Sequence, residues 1–476
     1  MKKFIFTAVL LSSAFLSLAG QNRTSYFVRN STQSHNMNAA FVPEQGYVGF
    51  PFLSNIDFDL NSNLGPSDFL YNLQDGTTGL FLNKEIPSEV FLGNLVKNNF
   101  VNMGLSYSLI NAGWFTGKHS FWSVDMGLDV DMDANLPLEA FRFLKEGMTS
   151  DPSSYSIRNL SMTGDVYAYV SVGYSRDLEE LVDGLRVGAK ARFIASVSSV
   201  DMNIEQLDID MSSGKWAASS KAYANIYSGL LDFGFDESGM LDLSRTSFSP
   251  TGFVSGMGAS FDIGAEYTIS EGTPVDGLRF SVSVTDLGFI SHMADMTTSV
   301  ESAEGIQFEG VDHINDPDMD INGELSGLMD DLYSMLAFKK KDVTGNQTRM
   351  LAATLYGGID YTFLHDKMNV GLLYSARFGR YRTDHELTLA WNYAPSKKFD
   401  IALSYSFLRN ASSIGWLITF TPKKGIGLFV GSDYTSLKYD ALSFSGIKIP
   451  VPSNLFIDFN FGFTISLGRN QRPDAD

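Results

Sequence analysis

The chain of 476 residues contains no cysteine. Disulfide staples, zinc–thiolate centres and thiol nucleophiles are therefore excluded. Positive charge is scarce as well: 35 Lys and Arg stand against 54 Asp and Glu, for a net charge of −19. Phosphate backbones need a basic footprint, so nucleic acid is not expected as a partner. The six histidines form no H-E-x-x-H pair, and neither a G-x-S-x-G elbow nor a phosphate-cradling P-loop occurs. Asp312 and His313 are adjacent, but adjacency alone does not make an acid–base pair. No catalytic residue is expected, and no enzyme activity. Beyond the first segment, no stretch reaches the ~20 consecutive apolar residues that a membrane helix requires.

What the chain does have is alternation. Near its end Leu455, Ile457, Phe459, Phe461, Phe463, Ile465 and Leu467 alternate with Phe456, Asp458, Asn460, Gly462, Thr464 and Ser466. One face is an apolar strip and the other is mostly small or polar. Such a strand suits a wall between lipid and a wet interior. The pattern recurs along most of the chain. A mean hydropathy of −0.03 agrees with it, because only alternate residues of such a wall meet lipid. The 37 Phe and 20 Tyr supply lipid-facing surface and interfacial girdles. The expected fold is all-β: a closed antiparallel transmembrane β-barrel of about 14 to 16 strands with short loop helices. Its expected place is the cell outer membrane, with membrane lipid as its surroundings.

The chain divides accordingly. Lys2 and Lys3 precede an apolar run from Phe4 to Leu18, and Ser17, Ala19 and Gly20 supply small residues. Residues 1–20 read as a secretory leader, cleaved after Ala19 or Gly20. Residues 21–47 are polar without a strand period, which suits a plug or a periplasmic segment. Residues 48–468 form the barrel and 469–476 a polar tail. Within the barrel, 48–60 begins the wall, and 61–99 is a long connection. A short helix lies within 136–147. The stretch 201–211 extends the preceding strand or begins another, and 217–226 is a weaker wall candidate. The longest irregular connection is 291–347, where 325–338 has helical spacing. The short connections 364–367, 394–398 and 422–425 read as periplasmic turns.

Two sets of residues carry possible chemistry. Arg186, Lys190 and Arg192 form a basic ladder at strand spacing, and Asp125 and Asp129 an acidic one. Asp262, Glu266, Asp360 and Asp458 sit at equivalent positions. Charge facing lipid is costly, so all nine are expected in the lumen. They either line a passage or bridge one another and fill it. Separately, the stretch from Asp318 to Glu324 matches the early positions of a calcium loop, with Asp318, Asp320, Asn322 and Glu324 as candidate ligands. Its closing position is Met329 instead of Glu, and an Asn-Gly turn accounts for the same residues. Calcium is the one cofactor the sequence suggests.

Several short motifs recur in one family: Asn38-Ala39-Ala40-Phe41-Val42-Pro43, Gly49-Phe50-Pro51, Leu136-Pro137 with Phe141 and Gly147, Phe261-Asp262-Ile263-Gly264-Ala265, and Asp286-Leu287-Gly288-Phe289-Ile290. In these the chain resembles an uncharacterised outer-membrane barrel family of the Bacteroidota, domain of unknown function family 5723. That family is similar in style to the FadL-like fatty-acid transporter barrels. The resemblance implies passage or uptake of a hydrophobic or amphipathic small molecule. The alternative it leaves is a non-transporting scaffold for secretion or surface-assembly partners. It implies no active residues.

Overall fold

The computed structural model describes residues 22–469, apart from 147–153, 211–215, 238, 243–244, 249, 251, 270–271, 273–274, 303–305, 309–335, 410 and 445–446. The leader, the tail beyond Arg469 and the candidate calcium loop lie outside the described residues, as does nearly all of the 325–338 stretch.

Fourteen antiparallel strands close into a barrel. After the first wall strand come Asn98–Thr116, Ser120–Pro137, Ser154–Asp177, Leu185–Asp210, Gly256–Thr268 and Leu278–His292. The wall continues through Ala353–Phe363, Met368–Phe378, Thr383–Ser396, Phe399–Leu408, Ala411–Phe420, Gly425–Ser432 and Leu455–Arg469. The terminal strand pairs back onto the first, with Tyr47 opposite Ser466 and Asp59 opposite Asp458. Closure leaves no unpaired edge, so the wall satisfies its own backbone groups within lipid. The alternation holds in space. Ile457, Phe459, Ile465 and Leu467 are exposed outward, while Asp458, Asn460, Thr464 and Ser466 are buried within. Phe193, Met257, Phe261 and Val282 continue the outward apolar belt on neighbouring strands.

The first wall strand is not continuous as the 48–60 reading has it. It is two pieces, Gln45–Gly49 and Asn55–Ser62. Gly49 faces Thr464 and Ile56 faces Phe461, so seven steps on one strand match three on its partner. Residues 50–54 bulge from the wall, with Phe50, Phe52 and Leu53 exposed. The bulge is tied down by Phe50 N–H to Phe463 O and Phe463 N–H to Leu53 O, both 2.8 Å.

The two ends of the barrel differ. Tight turns occupy one end, among them 117–119, 364–367 and 421–424, and the N-terminal segment enters there. Long connections rise from the other. The 61–99 connection carries the helices Pro66–Phe69 and Ser88–Asn94. They meet the helix Leu138–Glu146 over a buried apolar cluster of Leu64, Phe81, Ile86, Phe91, Leu95 and Phe141. Phe81 and Phe91 stack at 4.3 Å. Glu139 in the first turn and Lys145 in the last complement the dipole of the third helix.

A second cap grows from the wall itself. Ser154–Asp177 and Leu185–Asp210 run for 24 and 26 residues, more than twice the ~10 that cross a bilayer. The 201–210 stretch therefore extends its strand. Trp216–Ser228 pairs with that extension and not with the wall strand that follows. The 291–347 connection is not wholly irregular either: Thr297–Ser302, Ile306–Phe308 and Phe338–Lys341 add to this upper sheet. The sheet has its own core, which includes Ile204, Leu207, Ile209, Phe233 and Phe338. Its outer strand ends in the exposed Lys339, Lys340 and Lys341, a means of discouraging edge-to-edge pairing.

Candidate functional site

Residues 22–44 lie inside the barrel, nearly all of them buried. Two 3-10 turns, Arg23–Ser25 and Ser34–Asn36, give the segment what regular structure it has. Without a strand ladder, its backbone groups must find partners on the wall. Asp433 accepts from the amides of Arg23 and Thr24 at 2.5 and 2.8 Å. Asn369 donates to Phe27 O at 2.9 Å, Ser283 to Met37 O at 2.6 Å, and Ser175 to Ala40 O at 3.1 Å. Side chains add Asn22 to Asn460 at 3.0 Å, Thr24 to Ser404 at 2.8 Å and Lys190 to Asn36 at 2.8 Å. The wall is cut to receive the segment. A Cβ placed on Gly188 would stand 1.9 Å from Ala39 O, and one on Gly264 2.0 Å from Asn38 Oδ1. Two apolar anchors complete the seat: Tyr26, Phe27, Met37 and Phe41 meet Tyr356 and Leu373, and Val28 meets Ala402, Leu417 and Phe429.

The charged ladders meet across strands because register sets them opposite one another. Nearest the turn end the chain runs Asp177–Arg186 (3.2 Å), Arg186–Glu266 (2.6 Å), Glu266–Arg279 (3.3 Å) and Arg279–Asp360 (2.7 Å). Deeper in, Lys190 pairs with Asp262 at 3.9 Å, and Arg192 bridges Asp286 and Asp129 at 2.8 and 3.5 Å. Asp125 accepts from Ser108 at 2.8 Å and from Tyr169 at 3.3 Å. Towards the loop end Arg377 meets Asp131, and Arg382 meets Asp133 at 2.7 Å. Asp458 accepts from the backbone of Asp433. Of the nine lumen candidates, Asp125, Asp129, Lys190, Asp262, Glu266, Asp360 and Asp458 are buried, and Arg186 and Arg192 are half-buried beside them. Reading strands in isolation misses their partners: Asp177, Arg279, Arg377, Arg382, Asp433, and the Arg23–Glu386 pair at 3.5 Å. It also passes over Asp57 and Asp59, although their alternation with Phe58 and Leu60 is a visible signal.

Burial acts on the groups that hold the segment. It pushes the Asp433 carboxyl up to about 6. It also drives the His35 imidazole well below its ordinary range, and the Lys190 ammonium adds to this. At the turn end a cavity of about 370 Å³ opens between the segment and the wall. Tyr26, Val28, Phe41 and Val42 give it an apolar side, and Arg186, Arg279 and Glu266 a charged one. Close by, ligand atoms of His119, Asp177 and Glu179 lie within 4.8 Å of one another, with Asp177 already engaged by Arg186. The candidate calcium ligands Asp318, Asp320, Asn322 and Glu324 fall outside the described residues.

Comparison with known structures finds barrels of low similarity. The toluene transporter TbuX of Ralstonia pickettii aligns with a TM-score of 0.39 at 8% identity, over 91% of this chain and 93% of that one. The toluene transporter TodX of Pseudomonas putida gives 0.38 at 8%, over 94% of each chain. A FadL homologue of Pseudomonas aeruginosa gives 0.37 at 10%, over 94% and 98%. No curated protein matches. Residues 39–433 match the Family of unknown function (DUF5723), and the chain belongs to that family.

Proposed function

We propose that the protein sits in the outer membrane and admits a hydrophobic or amphipathic small molecule past a displaceable N-terminal segment. One observation carries this reading: residues 22–44 are buried within the barrel and meet its wall through many hydrogen bonds beside two apolar clusters. A barrel of this width is not filled by its own wall side chains alone. Water can replace hydrogen bonds to Asp433, Asn369 and Ser283, so undocking costs far less than their number suggests. The mouth cavity supports the cargo class. It sets an aromatic and aliphatic side beside Arg186, Arg279 and Glu266, whose charges bridge one another, as an apolar body with a polar end would need. The chemistry this reading asks for is binding and passage.

Deleting residues 23–43 while keeping the leader should raise uptake of small solutes of any kind. Normal insertion with unchanged permeability would overturn the plug reading.

A second reading, a scaffold for partners, has its own observation. At the loop end the hairpin Tyr439–Phe444 and Ile447–Pro452 exposes Tyr439, Ile447 and Ile449. Ile447 and Ile449 share one face of the hairpin and Tyr439 lies on the other, and exposed apolar side chains on both faces suit a contact surface. Replacing these three by Ser should leave uptake intact if passage is the role.

A further inference from the structure

The rim at the turn end is divided by charge. On one side the turns 178–184 and 269–277 contain acids and no Lys or Arg, with Glu179, Glu180, Asp183 and Asp276 exposed. On the other side the turns 364–367, 394–398 and 421–424 expose Lys367, Lys397, Lys398, Lys423 and Lys424. The acid in these three turns is Asp366, and Arg29 meets it at 3.3 Å. Such an arc runs against the net charge of −19 that the chain carries. It also differs from the lumen, where Lys190 is buried against Asp262 and Asn36.

The basic arc is continuous. The strands from Ala353–Phe363 to Gly425–Ser432 are successive neighbours in the wall, so the three turns follow one another around the rim. Backbone hydrogen bonds join them: Ala394 N–H to Lys367 O and Thr421 N–H to Lys398 O, both at 2.7 Å. An outward aromatic row lies just below. Trp391 and Tyr393 stack at 6.2 Å, Tyr361 and Phe363 at 6.1 Å, and Phe399 stands opposite Phe420. Aromatic girdles of this kind mark the level where hydrocarbon gives way to headgroups. The lysines follow within a few residues of the row, and their flexible stems carry the ammonium groups to headgroup level. Solvation alone accounts for one exposed lysine. An unbroken arc at that level, with the acids gathered on the other side, makes a field that an anionic lipid surface complements.

We propose that the arc of Lys367, Lys397, Lys398, Lys423 and Lys424 binds the headgroups of anionic phospholipids in the leaflet at the turn end. The lipid phosphates take up the ammonium groups of the three turns. The acidic turns disfavour the same lipids, so the lipid shell around this rim is asymmetric. The proposal rests on the membrane reading and not on passage.

Tryptophan quenching by brominated lipid tests it. Trp391 lies on the outward face of its strand beneath the arc. Trp122 lies opposite Tyr174, on the strand pair that leads into the acidic 178–184 turn. Two forms of the barrel, each keeping one of these with Phe at the other four Trp positions, are placed in phosphatidylcholine vesicles. The vesicles hold a minor share of brominated phosphatidylglycerol or of brominated phosphatidylcholine. At low salt, quenching of Trp391 should report an enrichment of phosphatidylglycerol of about fivefold, the factor that one lysine supplies beside an anionic surface. High salt should remove the preference. Lys397→Gln/Lys398→Gln/Lys423→Gln/Lys424→Gln should abolish it, and the Trp122 form should show none. Insertion is read separately, from heat-shifted gel mobility and from quenching by brominated phosphatidylcholine. Where the substituted barrel does not insert, the salt series and the Trp122 comparison carry the test. Equal quenching of Trp391 by the two lipids, an equal preference at Trp122, or a preference that survives salt or the substitutions would each overturn the proposal. Quenching by neither lipid would overturn the membrane reading and the proposal together.

Discussion

The loop end of the barrel and the N-terminal segment inside it are held by different means. At the loop end the connections pack on apolar cores: Leu64, Phe81, Phe91 and Phe141 form one, and Ile204, Leu207 and Ile209 anchor another. Within the barrel the N-terminal segment is held by mixed contacts: its amides donate to Asp433, its carbonyls accept from Asn369, Ser283 and Ser175, and Tyr26, Phe27, Val28, Met37 and Phe41 pack on apolar wall residues. Opening an apolar core exposes area to water at roughly 25 cal/mol per Å². Opening a hydrogen-bonded seat exchanges its bonds for bonds to water, at about 1 kcal/mol each. The apolar cores of the loop end therefore cost more to open than the hydrogen-bonded part of the segment's seat.

The largest expected effect lies in the cap. Phe91→Ala removes a fully buried ring stacked on Phe81 and should cost about 3–5 kcal/mol locally. Protease added from the loop side should then cut within 64–97, while the barrel keeps its heat-resistant gel mobility. An uncut cap would mean that the loop end is not held by this core.

A smaller effect is expected at the seat. Gly188→Val suits a wall strand, but its side chain occupies the place of Ala39 O. The clash should weaken docking of the N-terminal segment by about 1–3 kcal/mol. Solute uptake should rise with no loss of barrel stability. Unchanged uptake would mean that the fit at Ala39 does not matter for closure.

The smallest effect is that of pH. The folded His35 imidazole is held below its ordinary value, so its contribution is complete above ~6.5 and is lost as pH falls through that value. The loss approaches about 1.4 kcal/mol per pH unit. Protease sensitivity of residues 23–43 should therefore grow between pH 7.5 and 5.5, and His35→Gln should flatten the response. Equal acid sensitivity in the variant would mean that His35 is not the titrating group; Asp433, whose carboxyl is raised by burial, acts in the opposite sense and tightens docking as pH falls.

Much of the wall was legible because alternation is a local property. Leu455 to Leu467 and Met257 to Tyr267 show two faces whichever strands they pair with. The break at 50–54 was hidden, since Phe50, Phe52 and Leu53 leave the wall without breaking an apolar pattern. Trp216–Ser228 reads as a wall strand because nothing local tells a strand above the membrane from one within it. The candidate site was harder still. Lys190 and Asp262 show their sign and face in the sequence, but their pairing is a matter of register between distant strands. Gly188 and Gly264 look like any small lumen-facing residue until the N-terminal segment is laid against them. Asp433 lies far in sequence from the amides it holds, and only closure of the barrel brings them together.

The central claim is that passage requires residues 22–44 to move, and one cross-link tests it directly. The chain has no native cysteine, so a single engineered pair is unambiguous. Thr24 and Ser404 bring their hydroxyls to 2.8 Å, a separation that a Thr24→Cys/Ser404→Cys disulfide can close with little movement. Uptake of a hydrophobic probe into proteoliposomes should be lost in the oxidised variant and restored by reductant to the wild-type rate. Equal uptake with the lock closed and open would contradict the account.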